Sequence, residues 1–248
     1  MMKFLDIQWY DRLPSTNSAL MECLSLGEIL PSGFVIAARE QTAGRGRYNR
    51  RWVAEAGQNL TFSFVYVTSA SVEYLSSLPM AITLGLVDML RTYGIEAQVK
   101  WPNDVFIEGG KVCGMLLERS EIQHKDGTAI VVGIGLNVNM NGTAAALINR
   151  PATSMRIETG REFEVAEVLN RVLEFLPRWL DRWEKGGFPA LREAWLDRCV
   201  LLGQPIRVGE GASLKTGVLE GFGTCGQLKL RSEDGSVQEI WAGDVAAI

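Results

Sequence analysis

Residues 41–52 read Gln-Thr-Ala-Gly-Arg-Gly-Arg-Tyr-Asn-Arg-Arg-Trp and place four arginines and two glycines in one short segment. Glycine lets backbone N–H groups come close to a ligand, and the planar guanidinium of arginine donates to two oxygens of a phosphate or carboxylate at once. The segment therefore predicts a loop that closes over an anion, above all over phosphates. The alternative is a solvated basic turn, and this segment alone leaves the two about equally open.

The composition of the chain indicates that any such anion site is local. The chain has 248 residues, 47% of them hydrophobic, and a formal net charge of −4, so it has enough apolar residues for a core but no overall attraction to nucleic acid. Its cysteines lack the paired spacing of a zinc site or a redox dithiol. We expect reduced thiols in a cytoplasmic protein, without a signal peptide or a membrane span. The cysteines are Cys23, Cys113, Cys199 and Cys225.

The chain contains one histidine, His124, within a polar segment between two apolar runs. A Ser-His-Asp triad, a Cys–His pair and a two-histidine metal site all need a buried or oriented imidazole. We therefore expect His124 at the surface of a hairpin. The chemistry is then left to lysine, arginine, carboxylates and a bound metal.

Hydrophobic periodicity predicts a mixture of helices and strands. Helices are predicted from Ser15 or Thr16 to about Gly27, at 78–93, and at 163–183, the last interrupted or ended around Pro177. Strands are predicted at 34–38, 60–66, 99–101, 105–107, 112–117 and 130–138, with a hairpin turn at 108–111. After Leu202, short alternating segments between glycines predict a small all-β module. We predict an α+β fold, with a mixed, mostly antiparallel sheet and helices packed on it, followed by a small barrel.

A second polar cluster is predicted around residues 100–104, Lys-Trp-Pro-Asn-Asp. Pro102 cannot continue a central strand, so Asn103 and Asp104 open the next strand and can bind backbone groups, a ligand or a divalent ion. An ordinary turn is the alternative. Lys111 favours a site, because a lysine at the start of an apolar strand suits a fixed positive charge beside a carboxylate or phosphate.

The segment 131–139 is an apolar strand interrupted by Gly133 and Gly135. Glycines inside a strand often mark the close approach of a ligand or of another backbone. No helical pattern follows, so the spacing is not that of a dinucleotide-binding motif. Asn137 and Asn139 are predicted to project from the end of this strand. A core strand that merely contains glycines is equally open on this segment alone.

Together these segments resemble the biotin–protein ligases. The similar segments are 14–17, 41–52, 100–104, 111–118 and 133–139, which resemble the family's Asp-Ser-Thr-Asn, GRGRxGRxW, KWPND, KxxGxLxE and GIGxNxN motifs. The resemblance covers roughly the whole chain. It implies a class II synthetase-like catalytic domain at 1–200 and an SH3-like β-barrel at 201–248. It also implies the monofunctional type, without the N-terminal DNA-binding domain of the ligase–repressors and without a DNA partner.

The resemblance implies that ATP activates biotin to biotinyl-5′-AMP, with Mg²⁺ as cofactor, and that biotin is transferred to a lysine of a biotin carboxyl carrier domain of a carboxylase. It leaves a homodimer open. The implied biotin-binding residues are Ser15, Thr16, Asn17, Gln41, Gly44, Arg45, Gly46, Arg47, Lys111 and Gly114. The implied nucleotide-binding residues are Arg45, Arg47, Arg50, Trp52, Asn103 and Asn137. Lys111, Arg47 and Asp104 are the implied catalytic residues, with Asp104 also as metal ligand.

The chain departs from the family pattern at two places. Asn49 stands where the basic loop, residues 41–52, usually has its third glycine, and asparagine tolerates positive φ better than most residues. No basic residue follows Gly243-Asp244, so a phosphate contact from the small module must come from Arg207 or Lys215, or be absent. The alternatives are a lipoate or octanoate ligase or transferase of the same fold, and a non-catalytic biotin- or nucleotide-binding module.

Overall fold

The computed structural model describes residues 2–53, 56–122, 124–209 and 213–248. The strands are β1 (Ile7–Leu13), β2 (Val35–Gln41), β3 (Asn59–Thr68), β4 (Gln98–Lys100), β5 (Asp104–Ile107), β6 (Gly110–Arg119), β7 (Thr128–Asn137), β8 (Pro205–Val208), β9 (Lys215–Phe222), β10 (Leu228–Arg231), β11 (Val237–Ile240) and β12 (Val245–Ala247). The helices are α1 (Thr16–Ser25), α2 (Leu78–Arg91), α3 (Gly142–Ala146), α4 (Met155–Thr159), α5 (Val165–Gly186) and α6 (Arg192–Leu196).

The large sheet has seven strands in the order β1-β2-β3-β7-β6-β5-β4. β1 pairs with β2 in parallel, and the other neighbours pair antiparallel. The predicted α+β class and the mostly antiparallel sheet are confirmed. β1 was not among the predicted strands. At the hairpin between β5 and β6, Glu108 has a φ of 45° and Gly109 a φ of 84°, as the predicted tight turn requires.

Helices cover both faces of the large sheet. α2 and α5 pack on one face, where Leu84, Leu176 and Trp183 are fully buried. On the other face α1 packs against β3 and β7 through Leu20 and Leu24. On the α1 side of the sheet, the backbone at Gly114, Gly133 and Gly135 lines the site together with the surrounding loops.

The prediction that the last long helix is interrupted or ended around Pro177 is wrong. α5 runs from Val165 to Gly186 and contains Pro177 in its interior. Proline removes one backbone donor from the helix. Leu176, Trp179 and Leu180 are nevertheless buried on either side of it, and the indole of Trp179 donates to Asp88 Oδ2 on α2 at 2.7 Å. This packing holds the helix continuous through the proline.

The prediction that His124 is a surface residue is also wrong. Its side chain is only 5% exposed. Its Nδ1 accepts a hydrogen bond from the backbone N of Asp126 at 3.1 Å, and its carbonyl accepts from Gly127 N. His124 therefore stabilises the turn between β6 and β7.

The C-terminal residues form a separate five-stranded sheet in the order β11-β10-β9-β8-β12. The predicted all-β module is present, but its sheet does not close into the predicted barrel. In the described part of the chain β12 has three residues and pairs only with β8, and β11 pairs only with β10, so the sheet stays open. The division at 1–200 and 201–248 stays a prediction.

The small sheet packs on the rest of the molecule through aromatic residues. The ring of Phe222 lies 4.8 Å from that of Trp195 and 6.0 Å from that of Phe188. The indole of Trp101 donates to Gly226 O at 2.9 Å. One apolar core therefore continues from the large sheet into the small one. No helix within the described ranges is long and apolar enough to cross a membrane.

Candidate active site

A cavity of about 910 Å³ lies between the basic loop, the corner at residues 100–104, the strands β6 and β7, and the C-terminal sheet. All but one of the residues implied as site residues line it. They are Ser15, Thr16, Asn17, Gln41, Arg45, Gly46, Arg47, Arg50, Trp52, Asn103, Asp104, Lys111, Gly114 and Asn137. The exception is Gly44, where a Cβ would stand 2.4 Å from the carbonyl oxygen of Trp52. The five sequence segments thus meet in one place.

The N-terminus of α1 forms a polar end of the cavity. Ser15 caps the helix by accepting from Ser18 N, which is the predicted start signal. Thr16 donates to Gln41 Oε1 through both its backbone N and its Oγ1, at 2.8 and 3.1 Å. Asn17 Nδ2 donates to Leu116 O and to Glu118 Oε2, at 3.1 and 2.8 Å. The side chains of this end are therefore fixed by each other before any ligand arrives.

Sequence reasoning missed two members of this polar end, Ser63 and Glu118. Ser63 Oγ lies 2.7 Å from Thr16 Oγ1 and 2.6 Å from Asn17 Oδ1. Glu118 accepts hydrogen bonds from Arg45 NH2 on Oε1 and Oε2, at 3.0 and 2.9 Å. The signal for Ser63 was its place in β3, where it alternates with Phe62 and Phe64, which belong to the core on the other face.

The floor of the cavity is made of strand backbone at Gly114, Gly133 and Gly135. A Cβ at Gly133 would stand 2.0 Å from Asn17 Oδ1, and one at Gly135 would stand 2.2 Å from the indole of Trp52. Gly114 pairs directly with Gly135 across β6 and β7. The predicted approach of a ligand or of another backbone at Gly133 and Gly135 stays a prediction. In the structure two side chains approach instead, because only a missing Cβ leaves room for Asn17 and Trp52.

Arg47 connects the basic loop to other parts of the site. Its NH1 donates to Asn103 Oδ1 at 3.0 Å, and its NH2 donates to Tyr48 Oη at 3.0 Å and to Gly243 O at 3.4 Å. The loop turns at Tyr48, which adopts a φ of 55°. Arg47 thus joins the loop to the corner before β5 and to the C-terminal sheet.

Lys111 and Asp104 lie side by side at the edge of the cavity. Lys111 Nζ is 2.6 Å from Asp104 Oδ1, and the two side chains are 32% and 23% exposed. Lys100 lines the cavity beside them, with its Nζ 4.5 Å from the ring centroid of Phe106. Burial lowers the pKa of Lys100, against the opposing effect of Asp104. This edge concentrates positive charge around one carboxylate.

The residues around Asp104 show whether this part of the cavity fits the expected Mg²⁺. In the described ranges no three His, Cys, Asp or Glu side chains are grouped as a metal cluster. Mg²⁺ is usually held by one or two carboxylates together with substrate phosphates and water. Asp104 lines the cavity with Asn103 next to it, and one carboxylate of this kind fits that mode.

Asn137 lines the cavity, but its polar atoms are used within the protein. Its Nδ2 donates to Thr153 O at 2.9 Å, and its Oδ1 accepts from Asn59 Nδ2 at 2.9 Å. Of the two basic residues considered in the small module, Arg207 lines the cavity. Lys215 lines a smaller groove beside it.

Two further polar residues of the cavity wall were missed. Asp244 lines it from the loop before β12, and Arg150 lines it from the segment after α3. Asp244 Oδ2 accepts from Arg50 NH1 and, at 3.2 Å, from Arg150 NH1. Partial burial opposes ionisation of this carboxyl, but the hydrogen bond and charge of Arg50, with Arg150 and Arg47, outweigh it and lower the pKa of Asp244.

Comparison with known proteins agrees with this geometry. Residues 9–137 match the biotin/lipoate A/B protein ligase family. The chain is 36% identical over 228 residues to the biotin–[acetyl-CoA-carboxylase] ligase of Paracoccus denitrificans, covering 90% of this chain and 94% of that protein. It is 30% identical over 237 residues to the ligase of the same name from Mycobacterium tuberculosis, covering 93% and 85%. Its fold is similar to that of the biotin protein ligase from Aquifex aeolicus in complex with biotin and ATP, with 28% identity, a TM-score of 0.79 and 98% of each chain covered. This chain belongs to the biotin–protein ligases of the biotin/lipoate A/B protein ligase family.

Proposed function

We propose that the cavity binds biotin and ATP, joins them as biotinyl-5′-AMP, and passes biotin to a lysine of a biotin carboxyl carrier domain. The observation that carries the proposal is a single cavity with a polar, prearranged end at α1 and a cationic end at Arg47 and Lys111. In the first step the biotin carboxylate attacks the α-phosphate of ATP and pyrophosphate leaves. In the second the carrier amine attacks the acyl carbon and AMP leaves.

The end at α1 takes the head of biotin. Ser15, Thr16, Asn17 and Gln41 present hydroxyl and amide groups there, and Ser63 completes the set. A site built to hydrogen-bond a polar group rejects an analogue that lacks that group, because its buried polar atoms are then left unpaired. This end therefore selects biotin over lipoate, whose dithiolane offers no matching donors. Gly133 lets Asn17 approach the floor at this end.

The cationic end takes the phosphates. Arg47, Arg50 and Lys111 supply charge there, and Trp52 and Asn103 shape the nucleotide side. Bringing two anions together requires neutralisation and positioning more than a histidine base. Asn137 contributes by holding Thr153 and Asn59 in place rather than by a bond to the nucleotide.

Asp104 would hold Mg²⁺ next to the phosphates, and the ion would neutralise charge on them when bound. The protein's own contribution is Lys111, whose Nζ is held 2.6 Å from Asp104 Oδ1. In the first step Lys111 faces the carboxyl group of biotin and the α-phosphate of ATP. Arg47 and the loop around it close over the adenylate and exclude water from it.

We also propose that the protein works in the cytoplasm and has a carboxylase as its partner, without DNA. The four cysteines Cys23, Cys113, Cys199 and Cys225 are free, which supports a reducing compartment. The names of the similar ligases support acetyl-CoA carboxylase as the source of the carrier. A homodimer stays open.

Pyrophosphate release with biotin or with lipoate tests this function. The purified protein, ATP and Mg²⁺ should release pyrophosphate with biotin and not with lipoate, and added carrier domain should become labelled on one lysine. Removal of divalent ions with EDTA should stop both. Comparable turnover with lipoate would assign the chain to the lipoate or octanoate enzymes. Tight biotin binding without pyrophosphate release would assign it to the binding modules.

A further inference from the structure

The loop before β12 reaches across the cavity mouth to the basic loop. Asp244 Oδ2 accepts from Arg50 and from Arg150, and Gly243 O accepts from Arg47. The Asp244 side chain is 27% exposed, and the three arginines all line the cavity with it. Three cations from two distant parts of the chain are therefore gathered around one carboxylate of the C-terminal sheet.

A phosphate chain is the ligand that such a group of arginines recognises, because each guanidinium donates in a planar fork to paired oxygens. In the structure a carboxylate already occupies donors of Arg50 and Arg150. A phosphate placed on these two arginines would lie within a few ångströms of Asp244. Two like charges that close disfavour each other strongly in a partly buried site. The carboxylate and the phosphate therefore compete for the same cations.

We propose that Asp244 is a built-in competitor that occupies Arg50 and Arg150 until the phosphates of ATP displace it. Displacement frees residues 243–244 from the basic loop. The loop then closes on the nucleotide without them. The proposal rests on the proposed ATP site, since it concerns the same cavity.

The rest of the C-terminal sheet stays attached when Asp244 leaves. Trp101 holds Gly226 O, and Arg192 NH1 donates to Phe222 O at 2.7 Å, both at the opposite end of the small sheet. Phe222 remains packed on Trp195. The change is therefore confined to residues 243–244 and the strand that follows. Because such coupling is reciprocal, weakening the Asp244 contact must strengthen phosphate binding.

Pyrophosphate binding to the Asp244→Asn variant tests the proposal. The probe is inorganic pyrophosphate without a divalent cation, measured by titration calorimetry at constant ionic strength. Asparagine keeps the shape and removes the charge, so we expect the variant to bind pyrophosphate tighter by roughly five-fold or more. Asp234→Asn is the matched control. It makes the same charge change on an exposed turn of the same sheet, where Asp234 Oδ1 accepts from Ser236, and should leave the affinity unchanged.

Unchanged or weaker binding in Asp244→Asn would overturn the proposal, and weaker binding would show instead that Asp244 positions the arginines. Hydrogen exchange gives a second readout. In the unmodified protein, pyrophosphate should speed exchange in residues 243–248 and at Gly209 N, which donates to Asp244 O at 3.0 Å. Slower exchange there would also count against displacement. Neither measurement uses biotin, so a failure here is separate from a failure of biotin-dependent pyrophosphate release.

Discussion

Lys111 and Asp104 form an ion pair across the neighbouring strands β6 and β5, with Nζ 2.6 Å from Oδ1. The backbone of Asp104 pairs with Gly114, three residues after Lys111, and a Cβ at Gly114 would stand 2.6 Å from Lys111 Nζ. The glycine thus makes room for the lysine to fold back over its own strand. The cation is held in place by the sheet before any substrate binds, as electrostatic preorganisation requires.

Replacing Lys111 with alanine should slow adenylate formation by about two to three orders of magnitude, because a fixed charge at the developing oxyanion is lost. Biotin-dependent pyrophosphate release measures this. Lys185→Ala is the matched control, since Lys185 pairs with Asp181 on an exposed face of α5 and should change nothing. Adenylation near the normal rate in Lys111→Ala would leave the lysine with a structural role only.

Replacing Arg47 with glycine should remove the contacts to Asn103 and Gly243 while leaving the biotin end formed. The adenylate should then form more slowly and escape, because the loop no longer closes over it. Escaped acyl-adenylate reacts with any accessible amine. Incubation of the variant with carrier domain and excess serum albumin should therefore label both proteins, whereas the unmodified enzyme should label the carrier. Label confined to the carrier would mean that Arg47 serves ATP binding alone.

Replacing Gly135 with alanine should displace Trp52, because the new Cβ would stand 2.2 Å from its indole. We expect loss of most adenylation activity, together with a folded protein, since an indole at the cavity wall can move aside. Gly142→Ala is the control, because nothing lies within 4 Å of a Cβ at that position. Circular dichroism and pyrophosphate release should be measured on both. Full activity in Gly135→Ala would show that Trp52 is not needed in its present place.

Replacing Glu118 with glutamine should weaken biotin binding by about three- to ten-fold, as expected for a partly exposed charged hydrogen bond. Glu118 accepts from both Asn17 and Arg45 at the end of the cavity that is proposed to bind biotin. ATP binding should be little affected. Glu96→Gln, which alters an exposed pair with Arg91, serves as control. An equal loss of affinity for biotin and for ATP would mean that Glu118 contributes to the stability of the fold rather than to biotin binding.

Much of the fold could be predicted from the sequence, and all but one of the implied site residues line the cavity. The strand pattern from 60 to 138 has clear alternation and turn signals, so β3 and β5 to β7 were found where they lie. The implied site residues came from motifs, which bring together side chains that are far apart in the chain. Gly44 is the one implied residue that does not line the cavity.

What the sequence could not predict depends on tertiary contacts. Arg150 belongs to no motif and is 94 residues away from Asp244, so nothing local links the two. The burial of His124 depends on how the turn folds back on itself, and the continuity of α5 through Pro177 depends on packing against α2. β1 is mixed in polarity, and it is recognisable only once β2 lies beside it.

The glycines of β7 also limit how this protein can be made more robust. Glycine inside a strand costs about 0.5–1 kcal/mol relative to alanine, so β7 carries this cost at both Gly133 and Gly135. A search for heat-tolerant variants by unfolding temperature alone would test alanine at these positions as an obvious improvement. Each such change would fill the space that Asn17 or Trp52 now occupies. Thermostabilisation of this enzyme should therefore be directed at exposed sites such as the α5 surface and should leave the middle of its main sheet untouched.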